Sequence, residues 1–362
     1  MPTKTIKPKL LYFVEAMGGG VFTYIVDLAN GLSSKYDVYV AYATRPQTPS
    51  NYKDYFDPRV KLIEVKNFSR SFSISKNVKA FFEMKRIAKE INPDIIHLHS
   101  SMAGVLGRFA FNGQRMPLFY TPHGYSFLMQ NFGNSKQKIF KQIEKICAKR
   151  NCTTISCSVG ENLETQKLTH RALEVDNGIN ISELEKLIQN VDISHKKHFD
   201  VFTLGRITAQ KNPVEFNKIA LACPNLSFLW IGDGELRNEI TAPNVTISGW
   251  VDRDSALSYA LNSEIFLLTS LWEGLPMSLL EAMYMKKICV VSDVIGNHDV
   301  ITNDVNGYVC SSTEDFIKAI KKSKTQENDR LVQSAYDDIL NHYNTRVVIQ
   351  KYDEIYEKAL KN

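Results

Sequence analysis

The stretch Ile265-Phe-Leu-Leu-Thr-Ser-Leu-Trp-Glu-Gly-Leu-Pro-Met-Ser-Leu-Leu-Glu-Ala-Met-Tyr-Met285 reads as a strand, a turn and a helix. Ile265-Phe-Leu-Leu268 is a short apolar run, as a strand covered on both faces requires. Met277 to Met285 reads as a helix. Gly274 and Pro276 fall at the junction, where Gly permits unusual backbone angles and Pro suits a first helical turn. Open α/β sheets bind ligands beyond the carboxyl ends of their strands, and the N–H groups at a helix N-terminus attract phosphate. Glu273 falls in the loop and Glu281 about one turn into the helix. Carboxylates accept hydrogen bonds from adjacent hydroxyls, so two of them bracketing a phosphate site suit a ribose on one side and a hexose on the other. The ligand this describes is a nucleotide sugar. Without a ligand, the same residues are a helix N-terminus with two solvated acids.

The alternation extends in both directions. Leu10–Val14, Asp37–Ala41, Val60–Val65, Ile95–Leu98, Leu118–Tyr120 and Thr153–Ser156 read as strands, with helical patterns from Gly20 through Leu32, over Val78–Ile91 and near Ala103–Phe111. The rhythm breaks near Asp176-Asn-Gly-Ile-Asn180, and Asn190–His198 reads as a polar linker or surface excursion. It restarts with strands at Val201–Leu204, Leu226–Ile231, Val245–Ile247, Ile265–Leu268 and Ile288–Val291. Strands separated by helices imply βαβ units and parallel sheets. The pattern predicts an α/β protein of two doubly wound, Rossmann-like domains facing across a cleft. They cover residues 1–180 and 181–344, and an amphipathic helix over 345–362 completes the chain. Motifs fall on both halves, which places the chemistry between them.

A chain of 362 residues can bury two cores, and 44% hydrophobic with 23% charged residues is ordinary for a soluble globular protein. The N-terminal segment lacks a signal-peptide core and no apolar run approaches a membrane span, so a cytoplasmic location is expected. Six cysteines suggest reduced thiols. Cys147, Cys152 and Cys157 form no CxxC pair, and His97 and His99 on one strand have no third ligand nearby in sequence, so no metal is expected. The net charge of +5 is uneven. Lys136, Lys138, Lys141, Lys145, Lys149 and Arg150 face only Glu144. Lys138, Lys141, Lys145 and Lys149 share one helix face; Ile139, Ile143 and Ile146 share another. Such a helix is either an ordinary solvated face or a dock for an anionic bilayer. Aromatic and basic residues do not interleave as a nucleic-acid platform requires.

Other loops follow strands. Gly205-Arg206 with Lys211 offers a guanidinium fork and a point charge, a natural pair for a diphosphate. Gly18-Gly-Gly20 is either a tight turn or a close approach to a ligand; it lacks the GxGxxG spacing of a dinucleotide site. His123 in Thr121-Pro-His-Gly-Tyr125 is either structural or a partner for a sugar hydroxyl or leaving-group oxygen. Ile231-Gly232-Asp-Gly-Glu-Leu-Arg237 and Ser248-Gly-Trp250-Val251 carry glycines that let a flat base lie on backbone.

Together these residues resemble the family 4 glycosyltransferases of GT-B fold, a retaining group that builds capsular and lipid-linked polysaccharides. The resemblance rests on Gly18-Gly-Gly20, Thr121-Pro-His-Gly124, Gly205-Arg-Ile with Lys211-Asn-Pro213, Ile231–Leu236 and Glu273–Glu281, the last matching that family's E-x7-E motif. It implies a hexosyltransferase that moves a hexose or N-acetylhexosamine from a nucleotide sugar, UDP-linked by expectation, to a glycan or polyprenyl-diphosphate acceptor. His123, Glu273, Arg206 and Lys211 would then be catalytic. Gly19, Gly20, Gly232, Trp250, Val251, Gly274, Leu275, Pro276 and Glu281 would join Arg206, Lys211 and Glu273 around the donor. The resemblance further implies no metal or cofactor, a C-terminal helix returning to the first domain and, with the basic helix, peripheral attachment to the inner face of the cytoplasmic membrane. A nucleotide-sugar epimerase of the same fold would consume its nucleotide sugar without an acceptor. A non-catalytic partner subunit would bind donor without turnover.

Overall fold

A computed structural model describes residues 7–45, 48–68, 74–130, 132–192 and 197–361. The middle of the expected linker, residues 193–196, lies outside them. The chain divides into two compact units. One comprises Met1–Leu128, Asn134–Asn177 and Thr345–Asn362; the other comprises Met129–Gly133 and Gly178–Asn344.

The first unit runs β1 (Lys9–Met17), α1 (Gly20–Leu32), β2 (Asp37–Thr44), β3 (Lys61–Glu64), α2 (Ile74–Ile91), β4 (Ile95–His99), α3 (Ser101–Ala110), β5 (Leu118–Thr121), α4 (Asn134–Ala148), β6 (Thr153–Ser156), α5 (Val159–Gln166) and β7 (Ala172–Glu174). Its sheet has the order β3-β2-β1-β4-β5-β6-β7, with every pairing parallel. Leu10 to Val14 are wholly buried, which explains why the central strand is a continuous apolar run rather than an alternation.

The second unit runs α6 (Ile181–Asn190), β8 (Phe199–Leu204), α7 (Pro213–Ala222), β9 (Phe228–Ile231), β10 (Val245–Ile247), α8 (Arg253–Leu261), β11 (Ser263–Leu268), α9 (Met277–Tyr284), β12 (Ile288–Ser292), β13 (Tyr308–Cys310), α10 (Thr313–Thr325) and α11 (Asp329–Asn341). Its parallel sheet has the order β10-β9-β8-β11-β12-β13. The strand order reverses between β1 and β4 in one sheet and between β8 and β11 in the other. Such reversals open a crevice beyond the strand ends where ligands bind.

The last helix, α12 (Thr345–Lys361), belongs to the first unit. It buries Val348, Tyr352 and Tyr356 in the core that holds Tyr12, Tyr24 and Phe119. Tyr24 donates to the Tyr352 hydroxyl at 2.6 Å.

Helix α4 differs from its expected pattern. Ile139 and Ile146 are 57% and 55% exposed, while Glu144 and Cys147 face inward. The reason is a buried ion pair: Arg108 of α3 donates to Glu144 at 2.7 Å and to the Gly104 carbonyl at 2.9 Å. Tyr120 of β5 donates to the other Glu144 oxygen at 3.2 Å, beneath the guanidinium. Burial opposes the charge on Arg108, but the Glu144 carboxylate more than offsets this and raises the guanidinium pKa. The single acid of the basic segment is therefore internal, and the solvent side of α4 is cationic and apolar. No helix among the described residues is long and apolar enough to cross a membrane.

Candidate active site

In the second unit, the loops after β8 and β11 meet at the reversal of strand order. Hydrogen bonds tie them together: Leu271 N–H donates to the Gln210 carbonyl at 2.8 Å and the Thr269 hydroxyl to the Lys211 carbonyl at 2.9 Å. Gly205 and Gly232 approach so closely that a Cβ at Gly232 would lie 2.3 Å from the Gly205 oxygen. Both have positive φ, 145° and 133°, which a side chain would strain. Trp230 caps the contact by donating to the Gly205 carbonyl at 2.8 Å.

These loops place Lys211 against Glu273, with Nζ 2.7 Å from Oε1. The Ser270 hydroxyl donates to the same oxygen at 2.6 Å and Gln210 to Oε2 at 3.1 Å. Glu273 is buried and thus held by three donors. Arg206 is exposed and has no hydrogen-bond or ion-pair partner among the described residues. Helix α9 begins after Pro276 with no side-chain cap. An exposed cation, an anchored cation and uncapped helix N–H groups make a site suited to phosphate oxygens. Leu275 and Pro276 are buried and Gly274 partly so; a Cβ at Gly296 would lie 2.3 Å from the Gly274 oxygen, so close backbone packing fixes this turn from behind.

Glu281 sits one turn further along α9, buried on its helix. Arg253, the first residue of α8, clasps it through two bonds, Nη1 to Oε2 at 2.9 Å and Nη2 to Oε1 at 2.5 Å. Trp250 and Val251, just before α8, are 68% and 36% exposed, and Gly249 has φ 72°.

In the first unit, Gly19 caps α1 with φ 57° and no side-chain bond; Gly19 and Gly20 are exposed. His123 follows β5 with φ 55°, and Gly124 with φ 91°. The buried Glu161 fixes this turn by accepting from the N–H groups of Gly124 (2.7 Å) and Cys157 (2.9 Å). His123 Nε2 lies 3.1 Å from His99 Nδ1, and Tyr24 packs edge-on against the His123 ring. Thus a third imidazole does come near the strand histidines, although His123 is far from them in sequence. His97 is already engaged, Nδ1 with Tyr356 (2.5 Å) and Nε2 with Thr121 (2.9 Å). Burial holds His97 and His99 well below the ordinary imidazole pKa and lowers His123 to about 3. All three rings are neutral at physiological pH, so His123 can act as a hydrogen-bond partner but not as a cation.

The ligand-type side chains of His198, Asp200 and Glu264 lie within 4.8 Å of one another. The Lys324 ammonium bonds Asp200 at 2.8 Å and Glu264 at 2.6 Å, so the cluster is an ion-pair network. Sequence reasoning missed Ser270, Gln210, Arg253 and Glu161. Ser270 lies inside the stretch Ile265–Met285 and Gln210 immediately before Lys211, and their polarity is the available signal. Nothing local marks Arg253 or Glu161.

Two families match the chain. Residues 18–183 match the one described as Glycosyltransferase Family 4, and residues 185–338 the one described as Glycosyl transferases group 1. An Escherichia coli UDP-Gal:alpha-D-GlcNAc-diphosphoundecaprenol alpha-1,3-galactosyltransferase is 28% identical over 85% of this chain and 87% of its own. A Campylobacter jejuni N,N'-diacetylbacillosaminyl-diphospho-undecaprenol alpha-1,3-N-acetylgalactosaminyltransferase is 24% identical over 97% and 99%. Among solved structures, sucrose-phosphate synthase from Thermosynechococcus elongatus superposes with a TM-score of 0.79 at 14% identity, covering 97% and 98% of the two chains. Anabaena HepE in complex with UDP and glucose gives 0.74 at 17% identity over 97% and 100%.

Proposed function

Since the chain belongs to the family 4 glycosyltransferases and has their GT-B fold, we propose that it transfers a hexose or N-acetylhexosamine from a UDP-sugar to a polyprenyl-diphosphate-linked acceptor in surface polysaccharide synthesis. One observation carries the donor assignment: Lys211 meets Glu273 three residues before the uncapped α9 N-terminus, where the second sheet reverses its strand order and Arg206 follows β8. The acceptor assignment draws on relatives whose names specify diphosphoundecaprenol-linked sugars.

In this reading Arg206, Lys211 and the α9 N–H groups take the diphosphate. Glu281 takes the ribose hydroxyls, Glu273 a sugar hydroxyl, and the Trp250–Val251 loop the base. His123, Gly19 and Gly20 are the first unit's candidate ligand-binding residues. The anomeric C–O bond to phosphate breaks as the acceptor oxygen bonds the same face of that carbon. The acceptor proton passes to the departing phosphate oxygen, and the products are a glycoside of retained configuration and a nucleoside diphosphate. Arg206 and Lys211 stabilise the charge that grows on the leaving group, an effect this large term of catalysis requires. No metal enters this scheme.

A screen of nucleotide sugars by thermal shift tests the donor assignment. A UDP-sugar at one hundred times its dissociation constant stabilises the fold by roughly 2.7 kcal/mol. No shift from any nucleotide sugar would contradict the reading.

The same reading places the enzyme in the cytoplasm, at the inner face of the membrane, with α4 as its dock. Lys138, Lys145 and Lys149 are exposed beside Ile139 and Ile146, and Glu144 is withdrawn into the interior. Lys141 is partly engaged, 3.7 Å from Glu164. Each cation near an anionic surface contributes about 1 kcal/mol. Binding to phosphatidylglycerol liposomes is expected at low salt and should fade as salt rises, because screening acts over roughly 10 Å at 0.1 M. Changing Lys138, Lys145 and Lys149 to Glu should abolish it without altering donor affinity. A wild-type protein indifferent to such liposomes returns α4 to an ordinary outer helix.

A further inference from the structure

Arg253 is the residue whose role the donor site leaves unexplained. It opens α8 two residues after Val251 and reaches across to α9, where its guanidinium meets both oxygens of Glu281. Glu281 is nine-tenths buried, whereas the Arg253 side chain is 41% exposed. An ion pair with one partner this exposed contributes little to stability. The two-point geometry is a different matter, because a bidentate guanidinium fixes the plane of a carboxylate as well as its charge.

From this geometry we infer that Arg253 is a positioning residue for nucleotide binding: it holds the Glu281 carboxylate so that one of its outward lone pairs meets a ribose hydroxyl. A carboxylate has about four lone-pair sites. The guanidinium uses the two that converge at the end of the carboxylate, and the two that remain diverge to opposite sides, so one of them is left to accept from one ribose hydroxyl. Without Arg253 the carboxylate rotates about its terminal torsion, which is broad and nearly two-fold. The ribose hydroxyl then meets a disordered acceptor, while a nucleotide lacking that hydroxyl loses less. Arg253 therefore sets the preference for ribonucleotides over deoxyribonucleotides. This inference rests on the assignment of Glu281 to the ribose.

The test measures dissociation constants of UDP, GDP, ADP and CDP and of their 2′,3′-dideoxy forms. The proteins are wild type, Glu281→Gln, Arg253→Ala, Arg253→Gln and Arg253→Lys. Wild type should prefer its best ribonucleotide over the deoxy form. Glu281→Gln should remove that preference. Arg253→Ala and Arg253→Gln should reduce it at least three-fold and leave deoxynucleotide affinity within two-fold. Arg253→Lys, a cation without the planar fork, should fall between. Loss of preference in Glu281→Gln but not in the Arg253 variants overturns the role of Arg253 alone. Preference retained in Glu281→Gln, or absent in wild type, overturns the ribose assignment itself. Tighter ribonucleotide binding by Arg253→Ala would show that the guanidinium competes with the diol and would also overturn the inference.

Discussion

Replacing Lys211 by Ala is expected to lower kcat/KM for sugar transfer roughly 10- to 150-fold, the loss of a charge-assisted contact worth about 1.5–3 kcal/mol. The same change should also destabilise the protein, because it leaves the buried Glu273 carboxylate without its cation. Ser270 and Gln210 still donate to that carboxylate, so the destabilisation is partial. The two losses can be separated. Adding Glu273→Gln to Lys211→Ala removes the uncompensated charge and should restore the melting temperature. It should not restore turnover, since the diphosphate still lacks its cation and the donor sugar now lacks its carboxylate. Recovery of transfer in the double variant would show that Lys211 serves only to neutralise Glu273. Arg206→Ala is the complementary probe: Arg206 is exposed and without a partner among the described residues, so the change should lower donor affinity with no stability loss.

The largest effect on stability is expected at Glu144. Glu144→Ala strands the Arg108 guanidinium, which is 1% exposed, and should cost roughly 3–5 kcal/mol. For a unit of this size that lowers the melting temperature by roughly 6–20 °C. The pair Arg108→Met with Glu144→Leu should recover most of the loss, because well-packed apolar residues can replace a buried ion pair at little cost. A fall below about 1 kcal/mol in the single variant would mean that water reaches the guanidinium and that α4 is less firmly seated than its contacts imply.

Glu144 also illustrates what the sequence conveys and what it hides. Its spacing on a basic helix identifies the helix, but its partner Arg108 is 36 residues away on α3. A local pattern cannot show that the lone acid turns inward and two isoleucines turn out. Arg253 and Glu281 are likewise 28 residues apart, and neither lies in a motif that mentions the other. By contrast, the β11–turn–α9 unit is legible because each signal is local: an apolar run, Gly274 and Pro276 at the junction, then a helical segment. The same holds for β8 with Arg206 and Lys211. Ala172–Glu174 and Tyr308–Cys310 escape notice because three residues at a sheet edge carry no readable period. His123 is visible as a histidine after a strand, but its neutrality depends on rings and a buried core supplied by other strands and by α12.

The proposed reaction moves a sugar from a nucleotide to a lipid-linked acceptor. The most direct measurement incubates the wild-type protein with radiolabelled UDP-sugars and a panel of monosaccharides linked to polyprenyl diphosphate. Label extracted with the lipid is then quantified, and the anomeric configuration of the product is read by NMR. Label is expected in the lipid phase, with an equal amount of UDP released and the configuration of the donor retained. An epimerised or hydrolysed nucleotide sugar formed equally well without acceptor, or an inverted product, would contradict it.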